Sequence, residues 1–207
     1  MQTGESWVNL RSAPKRRDTI FRMASTSKPV TVAAAKVLLD ECRPRPDDLV
    51  KPWLPEPADR RVLTRVGGPL DDTVRDVLTS TFGLGMDMTA LGTPIMNAVF
   101  EQGLTPNLPE PMPKPDEWTR RLSALPLMHL PGEHWQYNIS KDLLGVLVAR
   151  VTGQSFEVFL RERIFDPLGM TNTGFHVPAD QIDQDVHPGF GAGHPRLLDH
   201  APPAIDN

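Results

Sequence analysis

Two long apolar runs along the chain predict its principal helices. The first, PVTVAAAKVLL at 29–39, places apolar side chains on almost every helical face, which is typical of a buried helix. A hydroxyl residue, Ser25, and an early proline mark its start, and the stretch RPRPDD ends it. The second run, LLGVLVARV at 143–151, is predicted to be capped by Ser140 and stopped by Gly153.

Shorter patterns predict the remaining elements. Weak alternation of β-forming residues indicates short strands at 18–24 and 61–66. Further helices are expected from Asp71 or Asp72 through 79, in part of 86–103, over 116–129 with an interruption near Pro126, and from Ser155 to 165. The proline-rich stretches 43–57 and 105–115 and the tail from Pro178 are predicted to be loops.

Composition and charge narrow the class of protein. The 207 residues are enough for one domain. With 26 acidic and 22 basic side chains, the formal net charge is -4, which argues against a surface that grips nucleic acid or anionic lipid. The single cysteine, Cys42, cannot form an internal disulfide or a cysteine-based zinc site. No secretory signal and no membrane-spanning run is visible, so we expect a cytoplasmic protein.

Ser-x-x-Lys pairs are the first candidate chemistry. A serine needs a neighbour that takes its proton before it acts as a nucleophile, and a lysine three residues later on a helix lies one turn away. The pair Ser12 and Lys15 lies in a polar stretch with no helix behind it, and we interpret it as accidental. The pair Ser25 and Lys28 opens the first predicted helix, whose N-terminus favours developing negative charge. Ordinary roles stay open for both: a helix N-cap for Ser25, and a lysine that extends to solvent for Lys28.

The sequence around this pair resembles a known superfamily. The runs DTIFRMASTSKPVTVAAAKVLLDE and PGEHWQYNISKDLLGVLVARVTGQSFEVFLRERIFDPLGMTNTGF are similar to serine β-lactamases and penicillin-binding proteins. The likeness is closer to the class C β-lactamase-related group, which includes esterases and DD-peptidases, and it covers most of 17–177. It implies an α/β (α+β) fold of the β-lactamase/transpeptidase type, with Ser25 as nucleophile, Lys28 one turn later and Tyr137 as the residue that abstracts and returns the proton. Tyr137 is the only tyrosine in the chain. The residues alone would favour a half-buried ring with its hydroxyl on a backbone carbonyl.

Two departures from the family pattern bear on the expected activity. Ile139 stands where the family's β-lactamases have asparagine, so ester hydrolysis is expected before β-lactam hydrolysis. The third family motif, a Lys/His-Thr/Ser-Gly segment on a late strand, has no counterpart before Asn207. The resemblance therefore implies a single incomplete domain over 1–207, with the late sheet strands missing. Its expected parts are an N-terminal strand region at 1–24, a nucleophile helix at 25–42, a helical subdomain at 43–177 and a loop-like tail at 178–207.

Two functional hypotheses of different class follow. The first is a serine hydrolase that acts through an acyl-enzyme on small carboxylic esters, β-lactams or D-alanyl amides, without a metal or organic cofactor. The second is a catalytically inactive remnant that keeps the helical half of the fold as a binding module. The six histidines show no metal-ligand spacing. No nucleic-acid partner and no membrane span is expected, and the sequence leaves the oligomeric state open.

Overall fold

Helices make up most of the secondary structure that the computed structural model describes. It describes residues 20–21, 23–56, 62–63, 71–87, 89, 91–105, 112–176 and 186–187. In chain order the elements are β1 (Ile20–Phe21), a 3₁₀ turn (Ala24–Ser27), α1 (Lys28–Asp40), α2 (Val74–Thr79), α3 (Pro94–Glu101), α4 (Pro115–Ser123), α5 (Ile139–Thr152), α6 (Phe156–Leu160), a π-helical segment (Arg161–Phe165) and β2 (Val186–His187). The two short strands pair in parallel, with Ile20 opposite Val186.

Helices α1 and α5 pack against each other and lie at the centre of the apolar core. On α1, the buried residues recur at helical spacing along one face: Thr31, Ala34, Ala35 and Leu38. Ala33 and Lys36 are exposed. The sequence predicts a helix buried on nearly all sides, and for the described residues this is wrong, because α5 covers α1 from one side. Helix α5 is the more deeply buried of the two, with seven buried residues, among them Leu143, Leu144 and Leu147.

The N-terminus of α5 differs from the sequence prediction. Asn138, with φ 78° and ψ -81°, is the N-cap residue, and Ser140 lies inside the first turn, where its buried hydroxyl has no hydrogen-bond partner. A positive φ at a non-glycine residue strains the backbone, and this pair of angles is the rare γ-turn conformation. The expected cap at Ser140 is therefore wrong. The C-terminus is as predicted, since Gly153 ends the helix with a φ of 73°.

Other predicted boundaries are confirmed or corrected. Thr73, rather than Asp71 or Asp72, caps α2, because its hydroxyl accepts from the backbone N–H of Asp76 and the Asp76 carboxylate accepts from the Thr73 N–H in return. Ser155 caps α6 as predicted. The two prolyl loops, the second predicted strand and the tail lie partly outside the described residues. Among the described residues, Val62 in the second predicted strand forms an isolated bridge with Leu127. In the tail, β2 is a strand where a loop was predicted.

Candidate active site

Ser25 is presented by a short 3₁₀ turn directly before α1. The preceding residue, Ala24, has a φ of 43°, a left-handed conformation that costs an L-residue about 1–2 kcal/mol. The turn is held by the Ser27 hydroxyl, which donates to the Ala24 carbonyl at 2.7 Å, and by the Thr26 N–H, which donates to the Met23 carbonyl at 2.9 Å. Ser25 itself is exposed and does not cap α1, whose N-cap is Ser27. The capping role left open for Ser25 in the sequence is therefore not found.

Lys28, the first residue of α1, reaches back to the same serine. Its Nζ donates a hydrogen bond to Ser25 Oγ at 3.1 Å, as the spacing of three residues along a helix predicts. The ammonium also lies 4.9 Å from the centroid of the Tyr137 ring, within the range of a cation–π contact. Lys28 is half-buried rather than extended to solvent. Both interactions point the charge at the serine and the phenol.

Tyr137 meets Ser25 from the other side, across 112 residues of sequence. Its Oη donates to Ser25 Oγ at 2.7 Å, so the hydroxyl contacts the serine and not a backbone carbonyl. Tyr137 lies two residues before the first residue of α5, and the packing of α5 on α1 sets this distance. The structure thus brings together the three residues that the resemblance selected: Ser25, Lys28 and Tyr137.

The segment that carries Tyr137 is fixed by hydrogen bonds to the glycine-containing stretch 80–86. The Gln136 N–H donates to the Ser80 carbonyl and the Met86 N–H donates to the Tyr137 carbonyl, both at 2.8 Å. Gly85 permits this approach: a Cβ there would lie 2.5 Å from the Gln136 Cβ and 2.8 Å from the Tyr137 carbonyl oxygen. Only a residue without a Cβ fits at this position without displacing the neighbouring backbone.

The environment lowers the pKa of Tyr137 below its usual value. The hydrogen bond with Ser25 is the largest cause. When the serine hydroxyl donates this bond, it stabilises the charged phenolate more than the neutral phenol. Desolvation acts in the opposite direction, and the charge of Lys28 again lowers the pKa. A lowered pKa increases the fraction of Tyr137 present near neutral pH as phenolate, which is the form that accepts a proton. The arrangement can therefore take the proton of Ser25.

Asp142 adds a carboxylate to this cluster that sequence reasoning missed. It lies in the first turn of α5, where desolvation raises its pKa to about 6 and the charge of Lys28 acts in the opposite direction. Its charge in turn raises the pKa of Tyr137. Part of the Asp142 residue remains exposed to solvent, which screens its interactions with Lys28 and Tyr137. The available signal was its position five residues after Tyr137 on a helix that faces α1.

Lys141 was also missed, and its role is to hold the start of α5. Its Nζ donates to the backbone carbonyls of Leu78 at 2.6 Å and Val77 at 3.5 Å, near the C-terminal end of α2. A lysine in this place binds carbonyl groups that the helix leaves without partners. Desolvation lowers its pKa. The bond ties α2 to the turn of α5 that follows Tyr137.

Ile139 points into the core. Its side chain is fully buried among the apolar residues that α5 contributes. The family's β-lactamases carry asparagine at this position, but here the buried side chain offers no polar group to the cluster. The adjacent Asn138 is also buried, and its amide donates to the Met86 sulfur at 3.6 Å.

Neither a metal centre nor a single membrane-spanning helix is found in the described part of the chain. No group of three or more His, Cys, Asp or Glu side chains there is arranged to hold a metal ion. The rings of His129 and His134 lie with centroids 4.1 Å apart and planes tilted by 43°, but no third ligand joins them in that part of the chain. No described helix by itself has the length and apolar character to cross a membrane. Among the described helices, only the bent pair Ile139–Thr152 and Phe156–Phe165, taken together, has both the length and the apolar character.

The fold is of the β-lactamase/transpeptidase type. A solved structure described as EstCE1, a hydrolase with promiscuous acyltransferase activity, matches it with a TM-score of 0.70 and 27% identity, over 81% of this chain and 42% of that one. The chain belongs to the beta-lactamase family, because the family model described as Beta-lactamase matches residues 1–203. The resemblance stated from the sequence is confirmed at this level.

Curated relatives agree with this assignment. Protein Rv1367c of Mycobacterium tuberculosis (strain ATCC 25618 / H37Rv) is 40% identical over 179 residues, which cover 81% of this chain and 42% of that protein. Esterase EstB of Burkholderia gladioli is 35% identical over 162 residues, which cover 78% of this chain and 40% of the esterase. The chain thus spans about two fifths of the length of these relatives.

Proposed function

We propose that this protein is a serine hydrolase that cleaves small carboxylic esters through an acyl-enzyme on Ser25. The observation that carries the proposal is the double hydrogen bond at Ser25 Oγ, which accepts from Tyr137 Oη at 2.7 Å and from Lys28 Nζ at 3.1 Å. Nucleophile and base within hydrogen-bond reach, with the base oriented by a third group, are the geometric requirements of nucleophilic catalysis. The similarity to an esterase supports esters as the substrate class.

In the first half-reaction, the Tyr137 phenolate takes the proton of Ser25 as Oγ bonds to the carbonyl carbon. The electron pair of the carbonyl π bond moves to its oxygen, and the Ser25 backbone N–H at the start of the helix supplies one donor to this oxyanion. The C–O bond to the alcohol then breaks. Tyr137 returns the proton to the leaving oxygen, so an alcohol departs and the acyl group stays on Ser25.

In the second half-reaction, water replaces the alcohol. Tyr137 accepts a proton from the water as the water oxygen bonds to the acyl carbon. The bond between the acyl carbon and Ser25 Oγ then breaks. The proton returns to Ser25, and a carboxylic acid is released. The charge of Lys28, whose Nζ lies 3.1 Å from Ser25 Oγ, favours the phenolate form of Tyr137.

We place β-lactams and D-alanyl amides after esters in the order of substrates. An open-chain amide carbonyl is less electrophilic than an ester carbonyl. For β-lactams, the polar residue that the family's β-lactamases carry at position 139 is a buried isoleucine here. Turnover of a penicillin faster than of a short-chain ester would reverse this order.

Covalent labelling separates the hydrolase from the binding-module hypothesis. We expect a fluorophosphonate probe to label the folded protein and Ser25→Ala to abolish labelling, because Oγ is the attacking atom. Ser12→Ala, which removes the serine of the other Ser-x-x-Lys pair, is the matched control and should label like the wild type. A folded wild type that does not label would support the inactive binding module. Loss of labelling in the Ser12→Ala variant would mean that Ser12, and not Ser25, is the nucleophile.

The close approach at Gly85 gives a second test. Gly85→Ala places a Cβ against the backbone that carries Tyr137, which must shift and so change the position of the phenol relative to Ser25. A misplacement of about 1 Å can cost on the order of 10²-fold in rate, so we expect ester turnover to fall by about that factor. Gly174→Ala is the matched control, since its Cβ would meet only the His176 carbonyl oxygen at 3.7 Å. Equal turnover in both variants would mean that the 85–137 contact does not position the phenol.

A further inference from the structure

Trp135 is an exposed aromatic side chain next to the candidate active site. With 65% of its surface exposed, it is more accessible than any other aromatic residue in the described part of the chain. Leaving a large apolar ring in water is unfavourable, since its burial would gain roughly 25 cal/mol for each Å². Beside the candidate nucleophile, this indole offers an apolar surface that a ligand could cover.

The local backbone directs this indole to the same face as the phenol. The side chains from Trp135 to Tyr137 alternate between exposed and buried, which is the pattern of an extended segment whose side chains two positions apart point to the same side. The exposed fractions alternate accordingly: 65% for Trp135, 6% for Gln136 and 39% for Tyr137. The buried Gln136 holds this orientation, because its N–H donates to the Ser80 carbonyl and its side-chain amide donates to the Met128 sulfur at 3.3 Å.

The indole and the phenol form one continuous apolar surface that ends at the nucleophile. Their ring centroids are 6.2 Å apart, with planes tilted by 41°. At the other end, Tyr137 Oη lies 2.7 Å from Ser25 Oγ. A molecule attached at Ser25 that extends along the Tyr137 ring reaches Trp135 next.

The proton path identifies which part of an ester lies along this surface. A group that protonates a leaving oxygen must be within hydrogen-bond reach of it. The alcohol oxygen of the ester is therefore beside Tyr137 Oη, and the carbon chain that it bears continues from there. The acyl chain, on the far side of the carbonyl carbon, has no such constraint.

We propose that Trp135 forms an apolar subsite for the alcohol part of the ester, so that the enzyme prefers esters of longer or aromatic alcohols. The proposal rests on the proposed function, since Tyr137 must act on the leaving oxygen. It assigns to Trp135 a role in substrate selection and none in the chemical steps.

Two ester series test the direction of the subsite. In the first, acetates of butyl, hexyl and octyl alcohol vary the leaving group, and in the second, ethyl esters of butanoic, hexanoic and octanoic acid vary the acyl chain. A methylene fully removed from water gains about fourfold in binding, and one covered on a single side about twofold. We therefore expect kcat/KM to rise about 16-fold from butyl to octyl acetate in the wild type and about twofold or less in Trp135→Ala, measured by titration of the released acid.

The acyl series and a second variant serve as controls. The dependence on acyl length should be the same in the wild type and in Trp135→Ala. Leu168→Ala, which removes another exposed apolar side chain that is 69% accessible, should leave both series unchanged. Loss of acyl-length dependence alone, or an unchanged alcohol series in Trp135→Ala, would overturn the assignment.

A binding measurement separates failure of the subsite from failure of the hydrolase. In Ser25→Ala, which cannot turn over, octyl acetate should change the tryptophan fluorescence on binding, and Trp135→Phe in the same background should remove that change. Binding without any turnover in the wild type would overturn the proposed function, and with it the assignment of the alcohol part, and would leave Trp135 only as an apolar binding surface. Turnover in the wild type without the Trp135-dependent fluorescence change would keep the function and overturn the subsite.

Discussion

Tyr137→Phe is expected to slow ester hydrolysis by roughly 10²–10⁴-fold, the usual contribution of a general acid–base group. The substitution keeps the ring and its packing but removes the oxygen that lies 2.7 Å from Ser25 Oγ and exchanges its proton. Stability should change little, by about 1 kcal/mol at most, because one exposed hydrogen bond is lost. Turnover of a short-chain nitrophenyl ester and the melting temperature of both proteins measure the two effects.

Ser140→Ala is the control for deletion of a hydroxyl near the start of α5. The Ser140 hydroxyl is buried and has no hydrogen-bond partner, so its loss should leave turnover close to that of the wild type. If Tyr137 were only a structural aromatic residue, Tyr137→Phe would hydrolyse the ester at the wild-type rate and change only the melting temperature. An active wild type with an equally active phenylalanine variant would remove Tyr137 from the mechanism.

Lys28→Met is expected to lower kcat/KM at neutral pH by roughly 10²-fold or more, and to move the pH dependence upward. The hydrogen bond with Ser25 is the largest cause of the lowered pKa of Tyr137, and the charge of Lys28 lowers it further. Removing a positive charge disfavours the phenolate, so the pKa of Tyr137 rises and less of the base is ionised near pH 7. The rate should therefore recover as the pH is raised.

Lys36→Met is the matched control, because Lys36 is an exposed lysine on the same helix. It should leave both kcat/KM and its pH dependence unchanged. The pH–rate profile distinguishes an electrostatic role from a packing role. A Lys28→Met variant that is slower by the same factor at every pH would show that Lys28 acts on the rate without acting on the ionisation of Tyr137.

A second charged neighbour of the phenol, Asp142, explains why the pH–rate profile is the informative measurement. Asp142 faces the same cluster from α5, and its pKa of about 6 means that it ionises as the pH rises through that value. The carboxylate then opposes Lys28 by raising the pKa of Tyr137. Above about pH 6, the charge of Lys28 is therefore needed most to keep the pKa of Tyr137 low.

The sequence by itself determined what depends on neighbouring residues along the chain. The apolar runs predicted α1 and α5, and Gly153 predicted the end of α5, because helix periodicity and termination act over a few residues. The spacing of Ser25 and Lys28 predicted their contact for the same reason, since three residues make almost one helical turn. Family likeness then selected Tyr137, which local pattern alone would have assigned to packing.

Only the tertiary structure decided the features that join distant parts of the chain. The contact of Tyr137 with Ser25, the exclusion of a Cβ at Gly85 and the tie from Lys141 to α2 all depend on how α5 packs against α1 and α2. The same packing placed the cap of α5 at a strained Asn138 instead of Ser140, because the segment that carries Tyr137 must turn sharply before the helix begins. Such distances are set by the burial and close packing of the apolar faces of several helices, and no local run of residues encodes them.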